Sequence, residues 1–130
     1  MRFKRPDQKN ALSLVEAAER KMSFTLKLEL NEDSASTIAS NIYECFRMLG
    51  DALYVKLGIQ DASHRESVEE LLDLDVETTR PISLIKTLRF LRHNINYYGY
   101  QPKLKEVEDA ISIAKACFTP LKEVVLKKLK

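Results

Sequence analysis

The chain has 130 residues, of which 45% are hydrophobic and 31% charged, with three glycines, four prolines and no tryptophan. This length and apolar content predict a single domain over residues 1–130 and argue against disorder. Three dispersed glycines exclude glycine-rich phosphate loops, and two histidines and two cysteines at unrelated positions give no metal-ligand spacing, so we expect neither a cofactor nor a structural metal.

The formal net charge of +2 conceals two oppositely charged segments. Residues 61–77 contain seven acids and one arginine, a net charge of −6, whereas residues 78–105 contain six cations and no acid, a net charge of +6. No apolar run is long enough to span a bilayer, and none follows the basic start of the chain as in a signal peptide. The sequence therefore predicts a dipolar, soluble and cytoplasmic protein with no membrane segment.

Helical spacing begins near Asp7, where a first helix is expected. Its predicted apolar stripe consists of Leu12, Val15, Ala18 and Met22. Residues 23–30 alternate between apolar and polar side chains, as a strand would. Because a lone strand has nothing to pair with, we predict that this segment is the continued or frayed end of the first helix.

A second, long helix is predicted between the caps at 31–34 and the left-handed terminator Gly58. Its stripe shows helical spacing, with Ile38, Ile42, Phe46, Leu49 and Leu53. A capping box of Ser63 and Glu66 opens a short third helix, which buries Val68, Leu71 and Leu72 and exposes its acids. Cys45 and Cys117, each beside a phenylalanine, are predicted to be reduced core thiols.

Pro81 and Gly99 bound a predicted fourth helix. Its expected stripe is Leu84, Leu88, Leu91, Ile95 and Tyr98. A fifth helix starts at Pro102 and is expected to break or kink at Thr119-Pro120, ahead of a terminal helix over 121–130. Its inward residues are predicted to be Val107, Ile111, Ala114 and Phe118. The predicted fold class is all-α: an up-and-down antiparallel bundle of four to five helices plus a short terminal helix.

The fourth helix also carries the candidate site. At 100° per residue, Arg89, Arg92 and Asn96 share one flank beside the apolar stripe. Two interpretations stay open for this flank: a basic, amide-rich patch that binds phosphate, or a solvated helix face whose arginines bury their stems. The nucleic-acid-binding candidates are Lys86, Arg89, Arg92, Asn96 and Tyr98.

Two further groups have open interpretations. Tyr97, Tyr98 and Tyr100 can stack on unpaired bases, pack a helix end and its turn, or be buried between two copies of the chain. On the second helix, Glu44, Arg47 and Asp51 form an acid–base–acid ladder on one face. This ladder is either a surface ion-pair row or a support that orients the arginines of the fourth helix.

The run Leu91–Gly99, with the sequence LRHNINYYG, resembles the signature of HEPN domains. That signature is an arginine, a polar residue and, several residues later, a histidine. The segments Ile42–Arg47 and Ser63–Glu66 look like the second and third helices of small archaeal and bacterial HEPN proteins, and the resemblance extends from about residue 8 to residue 118.

The resemblance implies an all-α homodimer in which two signature helices meet at a cleft. Many members of this family are metal-independent ribonucleases, often toxins that are encoded beside a nucleotidyltransferase antitoxin. Other members bind RNA or nucleotides without catalysis. In active members, the arginine is thought to stabilise the scissile phosphate while the histidine transfers protons.

Carried over to this chain, Arg92 is the family arginine and His93 the polar residue after it, while Tyr97 or Tyr98 stands in place of the histidine. A phenol with a pKa of about 10 is a poor base near neutrality. We therefore predict a dimeric RNA- or nucleotide-binding protein with a degenerate ribonuclease site, in which Arg92, Tyr97 and His93 are the catalytic candidates and Glu44, Arg47 and Asp51 support them.

Two alternatives remain open. One is an active, metal-independent endoribonuclease that uses Tyr97, His93 or His64 for proton transfer, although His64 is more simply a helix cap. The other is a non-catalytic interaction bundle whose acidic segment at 61–77 docks a nucleotidyltransferase partner.

Overall fold

Five α-helices make up most of the chain that the computed structural model describes, namely residues 2–3, 7–60 and 64–130. The helices are α1 (Gln8–Leu26), α2 (Ala35–Lys56), α3 (His64–Leu72), α4 (Ile85–Tyr98) and α5 (Leu104–Leu129). The predicted all-α class is confirmed. Within these described residues, no helix is long and apolar enough to cross a membrane.

The helix α2 is the central element, since α1, α3, α4 and α5 all pack against it. Its predicted stripe is confirmed, because all five residues are buried: Ile38, Ile42, Phe46, Leu49 and Leu53. The chain leaves this helix through Gly58, whose φ of 79° is in the left-handed region. Val68 and Leu71 of α3 are buried and Leu72 is partly buried, also as predicted. The Ser63 cap and the side chain of His64 lie outside the described residues.

The helix α1 is shorter than predicted. It starts after Asp7, whose carboxylate accepts a hydrogen bond from the backbone N–H of Asn10 at 2.9 Å, and it ends at Leu26. Beyond that end, the side-chain oxygens of Asn31 and Ser34 each accept a hydrogen bond from the other residue's backbone N–H, which closes a turn before α2. Residues 23–26 form the end of this helix as predicted, whereas residues 27–30 lie outside it, in the connection to α2.

A short antiparallel strand pair was not predicted. The strand β1 (Arg2–Phe3) pairs with β2 (Ile59–Gln60), which follows α2. Two residues are too few to show a two-residue alternation, and their partners are distant along the chain, so neither strand has a local signal.

The region before α4 differs from the prediction by one turn. Pro81 precedes a 3₁₀ turn over Ile82–Leu84, and the α-helix itself begins at Ile85. The prediction that Tyr98 is the last residue of the apolar stripe is wrong, because Tyr98 is 76% exposed. This exposure follows from packing: α4 lies mainly against α2, and its buried residues are Ile85 and Leu88 in the first turn of the helix.

The helix α5 runs without interruption to Leu129, so the predicted break at Thr119-Pro120 and the separate terminal helix are wrong. Proline cannot donate to the carbonyl of Ala116, which normally destabilises a helix. Here the following turns bury Leu121, Val125 and Leu129 completely, and this burial holds the helix together beyond the proline. Val107, Ala114 and Phe118 face inward as predicted, whereas Ile113 rather than Ile111 is fully buried.

The two cysteines are buried and free, as predicted. Burial raises the pKa of the Cys45 thiol to about 12 and also raises that of Cys117. Both thiols therefore stay protonated near neutrality and behave as small apolar core residues.

Candidate functional site

The contact between α2 and α4 positions Arg92. Its guanidinium carbon lies 5.6 Å from the ring centroid of Tyr43, and Tyr43 itself is only 1% exposed. A guanidinium over a buried aromatic face is held by cation–π attraction and loses little further freedom when it binds an anion. Arg92 is half-buried on the flank of α4 that the helical spacing predicts.

The surroundings of Tyr43 determine its protonation state. Burial raises the pKa of its phenol, and the positive charges of Arg92, Arg89 and Arg47 only partly oppose that effect. The phenol is therefore neutral near pH 7 and cannot accept a proton there as a general base. The aromatic group that contacts Arg92 serves to hold it.

Arg89 and Arg92 have no ion-pair partner among the acids that the structure describes. Among the residues that the structure describes, neither arginine has a carboxylate oxygen within 4.0 Å. The Nη1 atom of Arg89 is buried and has no hydrogen-bond acceptor in that part of the chain, and its guanidinium carbon lies 5.4 Å from the Phe90 ring centroid. A buried guanidinium nitrogen without an acceptor destabilises the folded chain, and an anion bound to the half-buried guanidinium groups of this flank would offset that cost.

The predicted ladder on α2 forms. Arg47 makes ion pairs with both Glu44 and Asp51, and the Ser67 hydroxyl donates to Asp51 from α3. Burial opposes the positive charge of Arg47, but the hydrogen bond to Glu44 and the charges of both acids outweigh it and raise the pKa of Arg47. The charge of Arg47 is therefore neutralised within the ladder, which has one negative charge in excess and joins α2 to α3. None of the described ion pairs links the ladder to the arginines of α4.

The remaining candidates on α4 are exposed: Lys86, His93, Asn96, Tyr97 and Tyr98. Three of them form a ring cluster, which we define as His93, Tyr97 and Tyr98. The His93 ring centroid lies 4.6 Å from that of Tyr97, with the planes tilted by 38°, and 5.7 Å from that of Tyr98, with an edge-to-face angle of 68°. Tyr97 is 70% exposed.

The ring cluster lies away from Arg92 on α4, although His93, four residues after Arg89, is on the same face as Arg89. One position along a helix turns the side chain by about 100°, so His93 points away from the half-buried Arg92 beside it. Within one chain, the structure therefore does not bring the predicted catalytic candidates Arg92, His93 and Tyr97 together around one reacting group.

The third tyrosine of the group has a different role. The Tyr100 hydroxyl donates to the Glu106 carboxylate, which also accepts from the backbone N–H of Lys103 at 3.0 Å. These bonds lower the pKa of Glu106, and the hydrogen bond raises that of Tyr100. Tyr100 packs the turn into α5, which is one of the alternatives for this group.

Four acids in α3 and in the segment between α3 and α4 are exposed to solvent. We define the acidic surface by its exposed members Glu69, Asp73, Asp75 and Glu77; Asp61, at the start of the acidic segment, lies outside the described residues. The pKa of Tyr54 is raised, chiefly by burial and further by the negative charges of neighbouring acids, which are Glu70, Glu66, Glu69 and Asp73. The acidic segment thus maintains a local negative potential.

Tyr43 is the site residue that sequence reasoning missed. It directly precedes Glu44 and is the one aromatic residue with a hydroxyl group in the buried part of α2. A tyrosine in an otherwise apolar stripe was the available signal, because its ring can be buried while its polar side faces a neighbouring helix. Nothing in the local sequence shows that this neighbour carries Arg92.

No family model matches the chain, and no curated protein or solved structure with which it was compared matches it either. The described residues also contain no group of three or more histidine, cysteine or acidic side chains that could hold a metal ion. The function must therefore be argued from the geometry of α2 and α4.

Proposed function

We propose that this chain is an RNA-binding protein of the HEPN type that holds the phosphate backbone through α4 and does not cleave it. The observation that supports the proposal is the pair Arg89 and Arg92: two half-buried guanidinium groups on one flank, without an ion-pair partner among the described acids. Free nucleotides offer the same phosphate chemistry and are weaker ligands for an extended flank.

The flank suits a chain of phosphates better than a single anion. Guanidinium groups bind phosphate oxygens through two parallel hydrogen bonds, and Lys86 and Asn96 add an exposed cation and an exposed amide on the same helix. Residues 78–105 include no acid that would repel a polyanion. Binding of this kind is governed by charge and weakens steeply with salt.

Two observations favour binding without cleavage. A tyrosine occupies the position of the family histidine, and the aromatic group in contact with Arg92 is Tyr43, whose raised pKa keeps it protonated. A metal-independent ribonuclease needs a group that removes the proton of the ribose 2′-hydroxyl, and the raised pKa of Tyr43 makes that phenol unsuited to do so near neutral pH.

The homodimer implied by the resemblance is part of the proposal. Two copies of the arginine flank would line one cleft, in which the polyanion neutralises the charges of both copies. Sedimentation of the protein with and without RNA measures this, and we expect RNA to favour the dimer. A monomer under both conditions would contradict the dimer while leaving the phosphate contacts unaffected.

Single-stranded RNA binding by Arg92→Ala, Arg89→Ala and the parent protein tests the phosphate site. Loss of one charge-assisted contact should weaken binding about tenfold. It should also make the slope of log K against the logarithm of the salt concentration shallower by about 0.7. Arg92→Lys should restore only part of the affinity, because lysine lacks the planar fork. Lys115→Ala, at an exposed cation of α5, is the matched control. Equal affinities for the parent and both arginine variants would rule out the proposed site.

Incubation of the protein with RNA in EDTA tests the absence of cleavage. We expect intact RNA at protein concentrations that saturate binding. Fragments with 2′,3′-cyclic phosphate ends that disappear in Arg92→Ala would instead support the endoribonuclease alternative, with Tyr97 or His93 transferring protons in the dimer.

The nucleotidyltransferase partner stays a prediction that rests on the resemblance. The exposed acidic surface supports it, because a basic partner could dock there while α4 remains open for RNA. Co-purification from the native host with the parent and with Asp73→Lys/Asp75→Lys tests it, and the same partners in both samples would contradict docking at these acids.

A further inference from the structure

The ring cluster is a surface feature that the phosphate contacts do not explain. Tyr97 and Tyr98 are 70% and 76% exposed, and His93 is exposed between them with ring separations of 4.6 and 5.7 Å. Large aromatic side chains rarely remain this exposed in contact with one another unless they serve an interaction. Mutual ring contacts also limit the motion of each side chain and so reduce the entropy lost when a ligand stacks on them.

The charge around the cluster indicates what covers it. Cations and amides surround it on α4: Lys86, Arg89, Arg92, Asn94 and Asn96. No acid lies between residues 78 and 105. A second copy packed directly on this face would leave the like charges of both copies unneutralised, whereas a polyanion that carries flat, polarisable rings satisfies both the charges and the exposed aromatic faces.

The distances also suit a nucleic acid. Arg92 and Tyr97 are five residues apart, which is about 7.5 Å along the helix axis. A nucleotide whose phosphate lies on the arginine flank can therefore bring its own base or the next one to the rings. The rings point away from Arg92 and begin beside Arg89, so the backbone would follow the two arginines while the bases turn outward onto the ring cluster.

We infer that His93, Tyr97 and Tyr98 form a stacking platform for unpaired bases, so that the protein selects single-stranded RNA over duplex RNA. This inference rests on the proposed phosphate binding by Arg89 and Arg92. In a duplex, the bases are stacked on one another and their faces are covered, so the platform has nothing to stack on.

Fluorescence anisotropy with three labelled RNAs tests the platform: a single-stranded 12-mer, the same strand with abasic sites at its central positions, and the 12-mer paired with its complement. We expect the parent protein to bind the intact single strand at least about fivefold more tightly than either of the others, since stacking adds affinity for each base held.

The variants separate stacking from charge. Tyr97→Ala/Tyr98→Ala should lose at least about fivefold in affinity for the intact strand and almost none for the abasic strand, with an unchanged salt dependence. Tyr97→Phe/Tyr98→Phe keeps the rings and should bind like the parent. Phe24→Ala removes a ring on α1 that is 61% exposed and is the matched control. Because these side chains are exposed, all the variants should retain the parent's helical circular dichroism.

The outcomes distinguish this inference from the proposed function. Salt-dependent binding that is equal for the three RNAs, or unaffected by the alanine pair, overturns the platform and leaves phosphate binding intact. Loss of a dimer in sedimentation by the alanine pair, without an effect specific to intact bases, assigns the rings to a protein interface and also overturns it. Absence of any salt-dependent RNA binding overturns the proposed function together with the platform.

Discussion

Gly50 lies where α2 meets α3, and its Cα faces the backbone of Ser67. A Cβ added there would collide with the Ser67 carbonyl oxygen, a backbone atom that cannot turn aside. The neighbouring residue Asp51 accepts a hydrogen bond from the Ser67 hydroxyl, so the close approach of the backbones also sets up the end of the Arg47 ladder.

We expect Gly50→Ala to lower the free energy of unfolding by about 3 kcal/mol or more, because the two helices must separate. Urea unfolding followed by circular dichroism measures this. Gly99→Ala is the control: Gly99 has a φ of 63° but nothing within 4 Å of an added Cβ, so only the left-handed conformation costs energy, about 1 to 2 kcal/mol. A smaller loss for Gly50→Ala than for Gly99→Ala would contradict the close contact.

The Cys45 thiol should make stability fall in alkaline solution. Burial raises its pKa in the folded protein to about 12, above its ordinary value of 9.0, so the unfolded chain loses this proton first as the pH rises. Stability should therefore decline by about 1.4 kcal/mol per pH unit between these two pKa values, with Tyr43 contributing in the same direction at higher pH.

Urea unfolding at several pH values from roughly 9 to 11 measures the decline. Cys45→Ala should be less stable at neutral pH but should show a shallower alkaline decline. Val15→Ala, at a buried residue that does not titrate, should lose stability without a change in slope. Parallel curves for Cys45→Ala and the parent would show that the thiol is not held protonated.

In both α4 and α5, packing overrides the local sequence signal, but in opposite directions. α5 passes through a proline because the turns beyond it bury Leu121, Val125 and Leu129. α4 has regular helical spacing, yet it packs mainly on α2 and leaves Phe90, Tyr97 and Tyr98 exposed. The number of neighbouring helices, rather than the pattern within each segment, decides which stripe residues are buried.

Pro120→Ala should stabilise the protein by about 2 kcal/mol. Alanine restores the N–H that can donate to the Ala116 carbonyl, worth about 3 kcal/mol in helix preference, and this gain exceeds the added entropy of the unfolded chain, about 0.4 to 1 kcal/mol. Thermal and urea unfolding measure the change. Thr37→Ala, at an exposed position of α2, should raise stability by less than 1 kcal/mol. If Pro120→Ala is less stable than the parent, the packing of the proline ring contributes more to stability than the restored backbone hydrogen bond.

Across the whole molecule, charge is separated more strongly than the net value of +2 indicates. The exposed acidic surface directly precedes the helix that carries Arg89 and Arg92, so a polyanion is attracted by one part of the chain and repelled by the adjacent part. Such repulsion mainly lowers the association rate and is screened over about 10 Å at 0.1 M salt.

Asp73→Asn/Asp75→Asn/Glu77→Gln should therefore strengthen RNA binding several-fold at low salt, through faster association, and have little effect at high salt. Stopped-flow binding at two salt concentrations measures this. The control makes the same change in net charge at exposed acids of α1 and α5, with Glu16→Gln/Glu108→Gln/Glu123→Gln. If both variants gain equally, net charge alone is responsible and the position of the acidic surface has no role.

The sequence by itself determined the helical class, the buried stripe of α2, the left-handed end at Gly99, the ladder of Glu44, Arg47 and Asp51, and the position of Arg92 beside the apolar stripe of α4. Except for the end at Gly99, which needs only a residue without a Cβ, these features depend on residues three or four positions apart, whose spacing a helix converts directly into a shared face.

Only the tertiary structure decided the exposure of Tyr98, the continuity of α5 through Pro120, the pairing of β1 with β2 and the contact between Arg92 and Tyr43. Each depends on residues that are distant in the chain or on how many neighbours cover a helix. Burial and electrostatic partners are properties of the packed bundle, so the local spacing that predicts a helix cannot specify them.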